Sequence, residues 1–366
     1  MSILVTRSAM PDFDEYCEEI RDLWDTRWLT NNGSKLKQLT ARLSAYLQSD
    51  CVQLFTNGHL ALESLLKAMD LHGEVITTPF TFASTVHAIV RCGLTPVFCD
   101  IRPEDYTLDP GLLEGLITPR TCAILPVHVY GTLCDTQAID RIAEKHHLPV
   151  IYDAAHAFGV TRGGVSAARL GYASMFSFHA TKVYHTIEGG CVATQDRALC
   201  ERLALEGNYG ITGPEDTVLV GGNAKMNEFQ AAMGLCNLRR LEGWIADRAA
   251  VSRRYDEALA DCDSLVIRKP QPDVKSNYAY YPVYCKGGKV HRDRVFAALE
   301  KQDIHARKYF YPLITDFACY RDTFQSADTP VAAQTADSIL TLPLYPDLPP
   351  ESVTRIAAIV REASHE

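Results

Sequence analysis

Several familiar signals are missing from this sequence, and each absence removes a class of function. Its twelve cysteines are scattered from Cys17 to Cys319 without a Cys-x-x-Cys pair, so neither a zinc site nor a dithiol redox motif is indicated. They are expected to be small buried hydrophobes kept reduced. No Lys/Arg-rich block offsets the net charge of −9, which argues against nucleic-acid binding by phosphate neutralisation. No apolar run nears the roughly 18 residues of a membrane span. The amino terminus has only a short apolar patch before Arg7, Pro11 and a run of acids, unlike a signal peptide, so a cytoplasmic protein is expected. His156, His179 and His185 lie near one another, but no His-Glu-x-x-His arrangement appears and no metal is expected.

What is present is apolar bulk. With 366 residues, 47% of them hydrophobic, the chain can bury a sizeable core, and at about 150 residues per domain it has room for two domains. From about residue 50 to 200, seven short β-branched or aromatic runs recur: 52–55, 75–77, 96–99, 123–127, 149–152, 175–178 and 191–194. Helix-period segments lie between several of them, such as Leu60–Leu66 and Thr136–Ala143, the latter entered at Asp135 as N-cap. Continuous apolar strands joined by helices predict an α/β fold with a mostly parallel sheet covered on both faces. A helix from Glu228 is expected to continue toward Leu259 with a break near Gly243. A turn-rich stretch (269–277), an aromatic strand over Tyr278–Tyr284 and a helix around Val295–Leu299 suit a smaller α+β domain. The expected division is a large domain over 1–244 and a small one over 245–366.

Ligands of a parallel α/β sheet collect beyond the carboxyl ends of its strands. Three stretches fall there. In Phe55-Thr56-Asn57-Gly58-His59-Leu60, a strand meets a glycine turn and a helix, which leaves unpaired backbone N–H groups facing outward to hold an anion. In Tyr152-Asp153-Ala154-Ala155-His156, a carboxylate terminates a buried strand. In Ser177-Phe178-His179-Ala180-Thr181-Lys182, a lysine follows an apolar approach and precedes Gly189-Gly190, a setting in which an amine can act as nucleophile or base. Each alone is also an ordinary turn, cap or solvated lysine. Pyridoxal phosphate (PLP) needs all three at once: a lysine for its Schiff base, an acid opposite its ring nitrogen and an anion pocket.

The motifs Trp28-Leu29-Thr30-Asn31-Asn32-Gly33, Asn57-Gly58-His59-Leu60-Ala61-Leu62, Pro126-Val127-His128-Val129-Tyr130-Gly131, Asp153-Ala154-Ala155-His156, Ser177 to Lys182 and Lys225-Met226-Asn227-Glu228 follow in family order. Together they resemble the DegT/DnrJ/EryC1/StrS family of sugar-nucleotide aminotransferases, PLP enzymes of fold type I (aspartate-aminotransferase-like). The resemblance implies that Lys182 holds the cofactor and Asp153 pairs with the pyridine nitrogen. His156 stands where glutamine is usual, near the phenolic oxygen, and Phe82 matches the aromatic residue that stacks on the ring. Ser177, Gly58 and His59 match phosphate contacts, although His59 replaces a more usual threonine and carries over no hydroxyl. Asn223 matches an asparagine that reaches the phosphate from the neighbouring subunit, which implies a homodimer with shared active sites.

Within the family, the stretch from Ser177 to Gly190 and the Trp28–Gly33 entrance are most similar to enzymes that make dTDP-4-amino-4,6-dideoxy-D-glucose, for glycan, O-antigen or related amino-sugar biosynthesis. That branch implies a nucleotide-linked ketosugar and L-glutamate as substrates, with 2-oxoglutarate released. Amination at C-3 of another nucleotide sugar, a PLP-dependent sugar dehydration and a noncatalytic regulatory homologue are the alternatives. The retained Lys182 weighs against dehydration, because relatives of that sort carry histidine there. Lys225 and Tyr311, the latter in the cluster Tyr309-Phe310-Tyr311, are candidate substrate contacts because cations pair with phosphates and aromatic faces stack on rings.

Overall fold

Each of the seven apolar runs forms a strand of one continuous sheet. The computed structural model describes residues 2–365, and in it the strands are β1 (Cys51–Phe55), β2 (Glu74–Thr77), β3 (Thr95–Phe98), β4 (Thr121–Ile124), β5 (Ile151–Asp153), β6 (Ala173–Ser177) and β7 (Gly190–Thr194). Their spatial order is β1-β7-β6-β5-β4-β2-β3, with β4 and β5 joined by the parallel bridges Ile124↔Val150 and Val127↔Asp153. All neighbours are parallel except β7, which runs antiparallel to both β1 and β6. Pro96 falls on β3, an edge strand, where its missing N–H costs no ladder bond.

Burial on two faces explains why the runs are continuously apolar. Along β6 and β7, Phe176, Cys191 and Ala193 face one core with Leu39, Leu43 and Leu235, whereas Met175 and Val192 face another with Leu62, Leu65 and Leu203. Helices α1 (Phe13–Ile20), α2 (Ser34–Leu47), α3 (Gly58–Ala68), α4 (Ala83–Arg91), α5 (Thr136–His146) and α6 (Arg197–Glu206) accompany the sheet. Of these, α2 supplies the first core and α3, α4 and α6 the second. The Asp135 cap forms as expected, its Oδ1 accepting from the Ala138 N–H at 3.1 Å.

Three expectations are corrected. Helix α7 (Glu228–Leu259) runs through Gly243 without a break. A mid-helix glycine costs about 1 kcal/mol, and buried Leu241, Ile245, Arg248 and Ala249 on either side hold the helix together. The aromatic strand begins at Tyr281 rather than Tyr278, because Tyr278 takes a left-handed φ of 51° and the Asn277 amide is spent on the carbonyls of His156 and Phe158. Cys51 and Cys200 form a disulfide between β1 and α6, so not every cysteine is a free thiol. The packing of α6 beside β1 brings their Cα atoms to 6.0 Å.

Beyond α7, the chain forms β8 (Leu265–Ile267), β9 (Tyr281–Cys285), α8 (Gly288–Glu300), α9 (Pro330–Ser338), β10 (Ile339–Leu342) and α10 (Pro350–His365). The three strands make an antiparallel sheet in the order β8-β9-β10 with its own core, including Val283, Val295, Leu340 and Ile356. Residue 244, the expected domain limit, falls inside α7. Ile3–Leu4 pairs in parallel with Ile304–His305, returning the amino terminus to this second unit. Among the described residues, no helix is long and apolar enough to cross a membrane.

Candidate active site

The ends of β1, β5 and β6 converge on a cavity of about 780 Å³. Its lining includes Gly58, His59, Phe82, Asp153, His156, Ser177 and Lys182. Seven residues spread over more than a hundred positions of sequence thus share one space, because all of them lie at or beyond the carboxyl ends of strands of the same sheet.

The anion turn is shaped by close backbone approach. Asn57 caps α3, its side chain accepting from the Leu60 N–H at 2.8 Å. Gly58 and His59 open the helix, where backbone N–H groups have no partner within the helix and the dipole is positive. Because β7 runs antiparallel, it starts beside the end of β1, with Gly190 opposite both Phe55 and Ser177. A Cβ at residue 190 would lie 2.6 Å from the Gly58 Cα and 2.7 Å from its N. A Cβ at residue 58 would lie 2.9 Å from that of Ser177. Glycine at both positions brings the hydroxyl of Ser177 next to the helix start and makes a cradle for a phosphate.

Asp153 ends β5 and is buried. Its Oδ2 accepts from Thr85 Oγ1 at 2.7 Å and its Oδ1 from the Ala155 N–H at 3.0 Å. Burial pushes this carboxyl above the usual carboxylate range, while those two hydrogen bonds and the nearby charge of Lys182 pull it back. Among the described residues, no cation lies within ion-pair distance of it. A buried carboxylate without a close cation gains from a protonated ring nitrogen brought beside it.

His156 has one ring nitrogen already assigned. The Tyr130 N–H donates to Nδ1 at 3.1 Å, so the remaining proton of the neutral ring sits on Nε2, which is 3.4 Å from the hydroxyl of Tyr309. Burial, reinforced by the positive charges of Lys182 and Arg307, pushes its pKa well below the ordinary histidine value, so the ring stays neutral. Lys182 lies in the irregular turn after β6, half-buried, with its own N–H donating to the His179 carbonyl at 2.9 Å.

An amine, a buried acid and a phosphate cradle on one cavity wall are the parts that PLP requires, and the residues fit it. Residues 12–361 match the DegT/DnrJ/EryC1/StrS aminotransferase family. The chain belongs to that family. It is 38% identical over 361 residues to a dTDP-4-amino-4,6-dideoxy-D-glucose transaminase of Shigella dysenteriae, covering 98% of each chain. Its structure is similar to DesI, solved in the presence of its TDP-sugar product, with a TM-score of 0.94 and 33% identity over 99% of this chain and 93% of DesI. It is similar also to Spr1654 of Streptococcus pneumoniae in its PLP form, with a TM-score of 0.92 and 26% identity over 100% of this chain and 99% of that one. The protein is therefore a PLP-dependent nucleotide-sugar aminotransferase.

Three residues singled out in the sequence do not line this aminotransferase's cavity within one chain. Asn223 is exposed, bridged by its backbone to Asn208. Lys225 donates to Asn208 Oδ1 at 2.9 Å and lies 4.7 Å from the centre of the Tyr209 ring. Tyr311 is turned toward α8, under the guanidinium of Arg292 at 4.3 Å. Its neighbours Tyr309 and Phe310 line the cavity instead, together with Tyr280 and Arg307, which the sequence reading did not name. Thr85, the hydroxyl donor to Asp153, was missed as well. No local pattern tells which of these residues face the site: Thr85 reaches Asp153 by packing within the first unit, and the others depend on how the second unit packs on the first.

Proposed function

We propose that this enzyme transfers the amino group of L-glutamate to C-4 of dTDP-4-dehydro-6-deoxy-D-glucose, giving dTDP-4-amino-4,6-dideoxy-D-glucose and 2-oxoglutarate. The observation that carries the reading is the 38% identity, spanning 98% of both chains, with a transaminase named for that product. The product would serve as an amino-sugar building block for glycans such as O-antigens.

In this reading Lys182 binds PLP covalently, and Asp153 holds the proton on the ring nitrogen. The first amides of α3, at Gly58 and His59, and the Ser177 hydroxyl hold the phosphate. Phe82, on the cavity lining, would cover one face of the ring and keep water from it. The neutral His156, with its proton on Nε2, would be available to donate to the phenolic oxygen. Bound PLP supplies an electron sink that acidifies the Cα–H of the attached substrate. Lys182, displaced from the cofactor by the incoming donor amine, would be free to take the Cα proton and pass it to the cofactor carbon on the other side of the nitrogen. The same amine carries the proton in reverse order when the ketosugar accepts nitrogen at C-4.

A homodimer belongs to the proposal. Asn223, exposed and outside the cavity of its own chain, would reach the phosphate of the neighbouring subunit, with Lys225 beside it as a contact for the substrate diphosphate. Tyr311, turned toward α8, takes no part in this reading. The test is incubation with L-glutamate and a panel of nucleotide ketosugars, followed by NMR of the product. Nitrogen at C-4 in the gluco configuration of the dTDP sugar is expected. Amination at C-3, or of a UDP- or GDP-sugar alone, would overturn the substrate assignment.

A further inference from the structure

Two helices begin at the cavity, and a polar relay joins them. The start of α3, at Asn57, Gly58 and His59, and the start of α4, at Phe82, Ala83 and Ser84, are both on the lining. The His59 ring stands between the two, with Nε2 2.9 Å from Glu63 Oε1, one turn along α3, and Nδ1 2.9 Å from the Ser84 hydroxyl on α4. Glu63 is 4% exposed and also accepts from the Arg91 guanidinium. The phosphate contacts already assigned, the first amides of α3 and the Ser177 hydroxyl, use none of the side chains of Glu63, His59 and Ser84.

This geometry ties the direction of the Ser84 hydroxyl to the number of protons on the ring. The Glu63 carboxylate only accepts, so the first ring proton sits on Nε2. In the neutral ring Nδ1 is then an acceptor, and Ser84 spends its hydrogen on it. With a second proton on the ring, Nδ1 donates to Ser84 Oγ and the Ser84 hydrogen is released to the cavity. An arriving dianion favours that second proton, because it gains a positive charge and a hydroxyl donor together. The other groups facing the ring from α4 leave it this role. Burial and the charges of His59 and Arg91 push the pKa of His87 below the ordinary histidine value, and Arg91 is spent on Glu63. Elsewhere on the lining the charged groups are Lys182, Arg307, Asp153 and Glu188.

We propose that Glu63, His59 and Ser84 form a proton-switched clasp for the cofactor phosphate: His59 takes a proton from solvent as the phosphate arrives, and Ser84 turns its hydrogen from the ring to a phosphate oxygen. Ser84 is then a binding residue, and His59 and Glu63 are positioning residues. The inference rests on the reading of the α3 turn as the phosphate cradle.

The test uses the full chain freed of cofactor and three probes: PLP, pyridoxal, which keeps the aldehyde without the phosphate, and pyridoxine 5′-phosphate, which keeps the phosphate without the aldehyde. Ser84→Ala is expected to weaken both phosphorylated probes at least about tenfold and to leave pyridoxal unchanged. Calorimetry with pyridoxine 5′-phosphate at about pH 7.5, where its phosphate is already a dianion, is run in two buffers of different ionisation enthalpy. Wild-type protein should take up more protons than His59→Leu, by about half a proton or more. His59→Asn, whose side-chain amide can donate to Ser84 Oγ without an added proton, should regain much of the affinity lost in His59→Leu and none of the excess uptake. Unchanged PLP affinity in Ser84→Ala overturns the inference, as does an equal weakening of pyridoxal or equal proton uptake by wild type and His59→Leu. If wild-type protein holds PLP no more tightly than pyridoxal, the cradle itself falls and the clasp with it; a wild-type preference for PLP that Ser84→Ala fully retains sinks the clasp alone.

Discussion

The two walls of the cavity are built by different rules. One wall comes from strand ends and the turns that follow them: Gly58, Asp153, Ser177 and Lys182 sit where a parallel sheet places its ligand groups, and each is fixed by neighbours close in sequence or directly paired in the ladder. The other wall, with Tyr280, Arg307, Tyr309 and Phe310, comes from connections in the second unit that reach the site only through tertiary packing. The first wall carries the groups that the proposed cofactor chemistry uses, and the second adds aromatic rings and one arginine.

Mutations that strike the first wall should separate it from the second. The largest effect belongs to Lys182→Ala. Borohydride reduction and peptide mapping should place the cofactor on Lys182 in the wild type and nowhere in the variant, and turnover should fall by about 10⁴ or more. A cofactor adduct on another lysine would refute the role given to Lys182. Asp153→Asn keeps the shape and the Thr85 contact but removes the negative charge, so kcat should drop on the order of 10²–10³ with the PLP still attached. Gly190→Ala tests the cradle without touching a reacting group. Its new Cβ meets backbone rather than a movable side chain, so PLP affinity should weaken and stability fall by about 1–3 kcal/mol, measured by PLP titration and thermal unfolding.

The last effect, confined to acid pH, concerns a residue behind the site. His128 is buried, stacked 4.4 Å from Tyr152, and burial lowers its pKa to about 3. The unfolded chain binds this proton below about 6.5 and the folded chain does not, so His128 destabilises the fold progressively as pH falls from about 6.5 toward 3. The loss approaches about 1.4 kcal/mol per pH unit in that window and vanishes above it. Denaturant unfolding of His128→Gln should show a shallower loss of stability between pH 6 and 4. An unchanged slope would mean that the imidazole is protonated in the folded state.

The difference between the walls also explains how much of the protein was legible in its sequence. All seven strands were readable because burial on both faces forces continuous apolar runs, and the alternation of Met175 and Phe176 between two cores shows that constraint directly. Asp153 and Lys182 were readable because a polar group just past such a run is conspicuous. Tyr309, Phe310 and Tyr311 were seen as a cluster, but which of them faces the site depends on packing against α8, which no spacing encodes. Gly243 looked like a helix break because propensity is local, whereas the apolar residues around it pin the helix from outside. The Cys51–Cys200 pair joins elements far apart in the chain, and cysteine spacing gave no hint of it.

The antiparallel insertion of β7 between β1 and β6 has a consequence for how the enzyme matures. The phosphate cradle is complete only when β7, the last of the seven strands along the chain, lies beside β1, because Gly190 packs there against the backbone of Gly58. Capture of the coenzyme should then reward only the closed sheet, and coenzyme supply would act as a thermodynamic ratchet that draws nascent chains into completion.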